Sequence, residues 1–382
     1  MSAGACSAPL SLMVALEGVP DQRRAAGRRY PLPAVLAFLC CGMLCGGRSL
    51  LAIAEWGQAR QAWCCAVFGF RRRTPCVSTL HRVLTGLDVG AFELALRAWI
   101  SALQVDAPIG LEPVAIDGKA VRGAREQHLP GAYLLSAFAS RQGTVLAQLG
   151  IGERENELTQ ALPLLRQVAL RDAVVTGDAM FAQRSLCAHI VEQGGHYLFE
   201  VKDNQPALAL ALQRCFESVQ AAAGARTIEG GHGRIDIRTL HSRPGLDDGW
   251  VVWPGLEQIC RLVHQSQRRG RWHTEVHYKI TSLRPEQAGP ADLLHLSRGH
   301  WAIENKLHYV RDVTLGEDAS RIRRGAAPQA MAAMRNLVLA ILQRAGMHNR
   351  AAGLRHFAWY QDQAAETLGL LCAQSLAAAR VA

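Results

Sequence analysis

The chain has 382 residues, 49% of them apolar, enough for two or three domains with a full-sized core, which excludes a disordered polypeptide and a small disulfide-stapled module. Forty-two Lys and Arg against 32 Asp and Glu give a net charge of +10 and a pI near 9.3, a balance that favours a polyanionic partner. The eleven cysteines are odd in number and contain no CxxC, so a zinc knuckle or disulfide framework is not expected and a reduced, cytoplasmic setting fits.

From Tyr30 to about Val105 apolar residues recur at helical spacing, punctuated by Gly46-Gly47, Gly69 and Gly86, which predicts a helical N-terminal domain over residues 1–105. Its most apolar segment, LPAVLAFLCCGMLCGG from Leu32 to Gly47, is shorter than the roughly 20 residues of a membrane-spanning helix and reads as a buried one. No basic stretch precedes the apolar run Leu10 to Leu16, so a secretory signal is not expected. In RRRTPCVSTLHRVL, Arg71, Arg72, Arg73 and Pro75 precede Ser78 and Thr79, either of which can cap a helix carrying His81 and Arg82. A DNA-reading helix and an ordinary capped surface helix both fit that pattern.

After Pro108, EPVAIDGKAVRG, AYLLSAFAS and TVLAQLGIG predict an antiparallel meander. The helix NELTQALPLLRQVA, the strand DAVVTGDAMF, the helix AQRSLCAHIVEQGG, the strand HYLFEVK and a helix from about Pro206 to Val219 follow. The fold class is α/β, a mixed sheet flanked by helices over residues 106–345. The strand patterns HGRIDIRTL, LEQICRLVHQS and WHTEVHYKITSL mark a β-rich insertion at about 222–288, after which ADLLHLSRGHWAIENKLHYVRDV resumes helical spacing. Residues Pro328 to Ala345 read as a packing helix, and 346–382 as a tail without a readable pattern.

Asp117 ends the apolar strand VAI before Gly118, and Asp178 ends AVVTG after Gly177; each fits a turn residue or one of a carboxylate pair at a shared sheet edge. At 100° per residue, His300, Glu304, His308 and Arg311 fall within about an 80° arc, while Ile303, Leu307 and Val310 lie beside them. Glu304 can therefore complete a cluster of three carboxylates, and hard oxygen ligands suit Mg²⁺ or Mn²⁺. A His300-Glu304-His308 zinc site is disfavoured, because its outer ligands stand about 12 Å apart along a helix axis. Three arginine runs, the first at Arg71–Arg73, the second at Arg268, Arg269 and Arg271 and the third at Arg321, Arg323 and Arg324, favour nucleic acid in a basic chain, although a single run is more often solvated surface.

The blocks VAIDGKAVRGA, VVTGDAMFAQRSL, YLFEVKDNQPAL, HGRIDIRTL and HWAIENKLHYVRDVTLGEDASRIRRG, in this order, resemble DDE insertion-sequence transposases of the ISAs type, the group with the H-repeat-associated proteins. RRYPLPAVLAFLCCGMLCGGRSLLAIAEW resembles that group's associated N-terminal domain. The resemblance implies an RNase H-like core with a β-rich insertion and a DDE triad of Asp117, Asp178 and Glu304 holding two Mg²⁺ or Mn²⁺ ions. It also implies that Lys202, Asn204 and Gln205 lie near the site, with Lys202, His300, His308, Arg311, Arg321, Arg323 and Arg324 binding DNA phosphate. Broader relatives carry a Tyr-Arg-Glu-Lys signature, and here those positions are Ser297, His300, Glu304 and Arg311, without the aromatic ring. Glu317 and Asp318 are rivals for the third carboxylate. The expected partners are double-stranded DNA, element ends and target alike, and a second copy of the chain in the synaptic complex. A nuclease without strand transfer and a silent DNA-binding remnant are the alternatives.

Overall fold

Nine strands, β1 (Glu112–Ala120), β2 (Tyr133–Ala139), β3 (Thr144–Ile151), β4 (Ala173–Gly177), β5 (His196–Val201), β6 (Ala223–Gly231), β7 (Arg234–Pro244), β8 (Gln258–Arg268) and β9 (Arg271–Thr281), form one sheet in the order β3-β2-β1-β4-β5-β9-β8-β7-β6. The structure is a computed structural model describing residues 10–103, 110–124, 131–152, 154–217, 223–231, 234–245 and 252–371. The expected domain boundary at 105–106, and the ends of the N-terminal and tail segments, lie outside these residues.

Strands β1, β2 and β3 pair antiparallel, while β1, β4 and β5 run parallel. Between them α7 (Glu157–Leu165), α8 (Arg184–Glu192) and α9 (Pro206–Glu217) bury Leu164, Ile190 and Leu212 against Val175 and Phe199. This is the expected RNase H-like mixed sheet. The β-rich block continues that sheet: β9 hydrogen-bonds β5 from Leu198↔Thr281 to Val201↔Tyr278. Strand β6 carries no readable pattern because its residues, AGARTIEGG, alternate too weakly. Arg269 and Gly270, both at positive φ, make the two-residue hairpin turn between β8 and β9. From Lys279 to Gly270 the ribbon extends about 30 Å, so the second arginine run lies at its tip.

The N-terminal helices are α1 (Leu12–Ala15), α2 (Leu32–Leu44), α3 (Leu50–Ala59), α4 (Gln61–Phe68), α5 (Val77–Thr85) and α6 (Val89–Leu103). Helix α2 is buried on all sides, as its uninterrupted apolar sequence requires. No described helix is long and apolar enough to cross a membrane. The first arginine run is exposed, and Cys76, rather than Ser78 or Thr79, occupies the N-cap position of α5 without a side-chain capping bond, its Sγ 3.4 Å from Thr79 Oγ1. Phe38 and Leu96 share one core with Leu307, Leu337 and Leu354, so these helices pack directly on α11 (Ala327–Arg344) and on the segment carrying Glu304. Part of the stretch without a readable pattern is helical, α12 (Arg350–Trp359) and α13 (Gln361–Thr367), tied to α4 by the Trp63 indole donating to Asp362 at 2.7 Å.

The expected single helix across Glu304 is replaced by two kinds of turn. Helix α10 (Pro290–Gly299) stops, and Ile303–His308 and Val310–Thr314 are π-helical. Hydrogen bonds in a π-helix reach five residues back and add residues to each turn. Ile303 and Leu307 stay in the core, but the wider turns rotate Arg311 away from the line of Glu304.

Candidate active site

The last paired rung of β1 and β4 is Ala115↔Thr176. Two residues further along each chain stand Asp117 and Asp178, on parallel neighbours about 4.8 Å apart; Asp178 follows the end of β4, whereas Asp117, expected to end its strand, lies inside β1 and pairs with Ser136 of β2, because the antiparallel ladder to β2 carries β1 on to Ala120. A side chain at Gly177 would press within 2.7 Å of Phe181, so glycine is needed where the chain turns sharply to present Asp178. Glu304 arrives on the π-helical segment over the same strand end. His308 Nδ1 lies 3.4 Å from Asp117 Oδ2 and 3.6 Å from Glu304 Oε2, and donor atoms of these three residues all fall within 4.8 Å of one another.

Burial, then the charge of Glu304 and that of Asp178, pushes the Asp117 carboxyl up to about 7. Asp178 behaves oppositely. The His300 imidazole, its Nε2 3.8 Å from Asp178 Oδ1, holds that carboxyl below the usual range, and the same imidazole places Nδ1 3.2 Å from Thr176 Oγ1. A cation would offset the repulsion between Asp117 and Glu304, and an oxygen, oxygen, nitrogen donor set accepts a divalent ion, so the residues present fit a metal.

The structure redistributes the residues expected to hold phosphate. Arg311 has no exposed surface and is committed to Glu317, which corrects its expected phosphate role. His308 is buried, and desolvation, with Arg311 and Lys119 nearby, lowers it to about 3; an imidazole kept neutral cannot serve as the expected cation. His300 faces Asp178 at 3.8 Å. Lys202 is exposed beyond β5, its Nζ 3.0 Å from Glu200, and its charge is felt at Asp178. Asn204 and Gln205 donate to the backbone carbonyls of Ala179 and Ala182, bracing the turn behind Asp178. Arg321 and Arg324 are exposed, and the Arg323 Nε donates to the Gly123 carbonyl at 3.3 Å.

Glu317 is not a rival ligand. It is buried between Arg311 and Arg335, and although burial opposes ionisation, the two guanidiniums hold its carboxyl below the ordinary range. Lys119, two residues after Asp117, reaches Asp312 at 2.6 Å and both Glu317 and Asp318 at 3.6 Å. Lys119 was legible as an alternate-position partner of Asp117 on one strand; Arg335, inside a packing helix, gave no such signal.

A family model described as a transposase DDE domain matches residues 109–341, and one described as DDE_Tnp_1-associated matches residues 13–100. The chain belongs to the DDE transposase family. The transposase is 30% identical over 348 residues, 87% of each chain, to YncI of Escherichia coli O157:H7. It is 28% identical over 348 residues, 87% of this chain and 90% of the relative, to the H repeat-associated protein YhhI of E. coli K12. Both relatives carry provisional transposase names. A solved piggyBac transposase synaptic complex with hairpin DNA aligns over 91% of this chain and 75% of its own, with 10% identity and a TM-score of 0.44.

Proposed function

We propose that this transposase binds the inverted-repeat ends of its insertion sequence, cleaves the DNA with divalent metal and transfers the freed 3′-hydroxyl into target DNA. The observation that carries the reading is the convergence of Asp117 and Glu304 within one 4.8 Å cluster, with Asp178 on the adjoining strand end. Asp117 and Glu304 would hold one Mg²⁺ or Mn²⁺ ion, and Asp117 with Asp178 a second. Ions bound there supply charge neutralisation at the attacked phosphate and ease deprotonation of the attacking water or hydroxyl. His300 orients Asp178 through its bridge to Thr176, keeping that carboxylate ionised. Lys202, Arg321 and Arg324 take backbone phosphates on either side of the carboxylates, and the Arg71–Arg73 run and the β8–β9 tip extend the contact to DNA further away. Joining two element ends calls for two copies of the chain, in a nucleoid-associated, cytoplasmic setting.

The test is incubation with DNA carrying the flanking inverted repeats and Mg²⁺ or Mn²⁺. Cleavage and joining should vanish in Asp117→Ala, Asp178→Ala and Glu304→Ala while DNA binding persists. Cleavage that survives Glu304→Ala would remove Glu304 from the triad. Cutting without joining would support a nuclease, and binding without cutting a silent remnant.

A further inference from the structure

His308 is the anomaly of the site. It is 5% exposed, it forms no hydrogen bond with any described residue, and its Nε2 is sealed in the interior without a partner. Burying an imidazole in this way is costly, and its remaining nitrogen, Nδ1, points between two carboxylates at 3.4 and 3.6 Å. These separations exceed hydrogen-bonding distance for an N–H to a carboxylate oxygen. They match a different arrangement. Ligands about 2.0–2.2 Å from a common ion stand roughly 3 Å apart at right angles and about 4.2 Å apart when opposed. Three donors separated by 3.4 Å, 3.6 Å and at most 4.8 Å therefore need to close by only a fraction of an ångström to share one ion.

We infer that His308 Nδ1 is a third protein ligand of the ion held by Asp117 and Glu304, and that this nitrogen sets the ion preference of the site. The inference rests on the metal-dependent reading given above. The local fold explains the geometry: the π-helical turn stacks His308 over Glu304 while Leu307, its neighbour, anchors in the core. Carboxylates alone suit Mg²⁺, whereas an imidazole adds affinity along the series from Mn²⁺ to Co²⁺. The site should thus bind Co²⁺ and Mn²⁺ well ahead of Mg²⁺.

The test loads the full chain with Mn²⁺, without DNA, and records pulsed electron paramagnetic resonance alongside calorimetric titrations with Mg²⁺, Mn²⁺ and Co²⁺. Directly bound ¹⁴N should modulate the wild-type Mn²⁺ signal. His308→Asn should abolish the modulation and lower Mn²⁺ affinity by about 10- to 100-fold, with a smaller loss for Mg²⁺; His300→Asn should retain the modulation. A wild-type Mn²⁺ signal without nitrogen coupling overturns the inference, a result that does not depend on any variant folding. So does coupling that disappears in His300→Asn and survives in His308→Asn. Equal Mn²⁺ binding by wild type and Asp117→Ala would instead sink the metal site itself, and this inference with it.

Discussion

Two clusters of ionised side chains flank the π-helical segment, and they are built on opposite electrostatic plans. On one side Asp117, Asp178 and Glu304 gather beside the imidazoles of His300 and His308, with Lys202 acting on Asp178 alone, and burial with like charge pushes Asp117 up to about 7. On the other, Lys119, Arg311 and Arg335 meet Asp312, Glu317 and Asp318, and three positive charges answer three negative ones. The balanced cluster is deeper, with Arg311 and Glu317 at 0% exposure. It holds the backbone that delivers Glu304. Desolvated charge that is compensated inside the fold serves the fold, whereas charge left uncompensated marks where an outside cation and substrate are expected.

The contrast breaks most visibly through paired substitutions. Asp117→Asn should cut cleavage on the order of 10³-fold or more without destabilising the protein. The Asp117 carboxyl has a higher pKa folded than unfolded, so its stabilising contribution is complete below about 3.8, its ordinary value, and is lost as pH rises through about 7. The variant should therefore melt at or above the wild-type temperature at pH 8 in the absence of metal; a clear drop there would mean that Asp117 is structural. Glu317→Ala should do the reverse, leaving Arg311 and Arg335 buried without their anion at a cost of about 3–5 kcal/mol, read by urea denaturation.

Glu93 tests a third, intermediate case. It accepts hydrogen bonds from Gln148 at 2.8 Å and Gln329 at 3.1 Å, joining α6 to β3 and α11, and burial pushes its carboxyl up to about 7. Its contribution is complete below the ordinary 4.5 and is lost as pH climbs through 7. Glu93→Gln should flatten the stability profile between pH 5 and 8 and gain about 1–3 kcal/mol at the alkaline end. A profile unchanged from wild type would show that Glu93 is already solvated. The smallest effect belongs to the surface: Arg324→Ala should weaken binding of all DNA sequences alike and reduce the salt slope by about one unit. Arg311→Ala should leave that slope unchanged in whatever fraction folds.

Short-range pattern carried much of this molecule. Strand periodicity placed β1, β4 and β5, with Asp178 just past the end of β4 and Asp117 inside β1 rather than at its end, uninterrupted apolarity marked α2 as buried, and ordered blocks pointed to the DDE family. The spacing of His300, Glu304, His308 and Arg311 was legible as one face, but only under α-helical geometry. A π-helix has no sequence signature of its own and forms when tertiary packing absorbs its wider turn. Packing on the N-terminal helices and α11 therefore decided that Arg311 turns inward to Glu317 while His308 stays over the carboxylates. Sequence by itself determined the local alternation that puts Asp117 and Lys119 on one side of a strand. Only the tertiary structure decided which basic groups reached water and which were spent inside, because burial and charge pairing depend on residues as distant as Lys119 and Glu317 meeting in space.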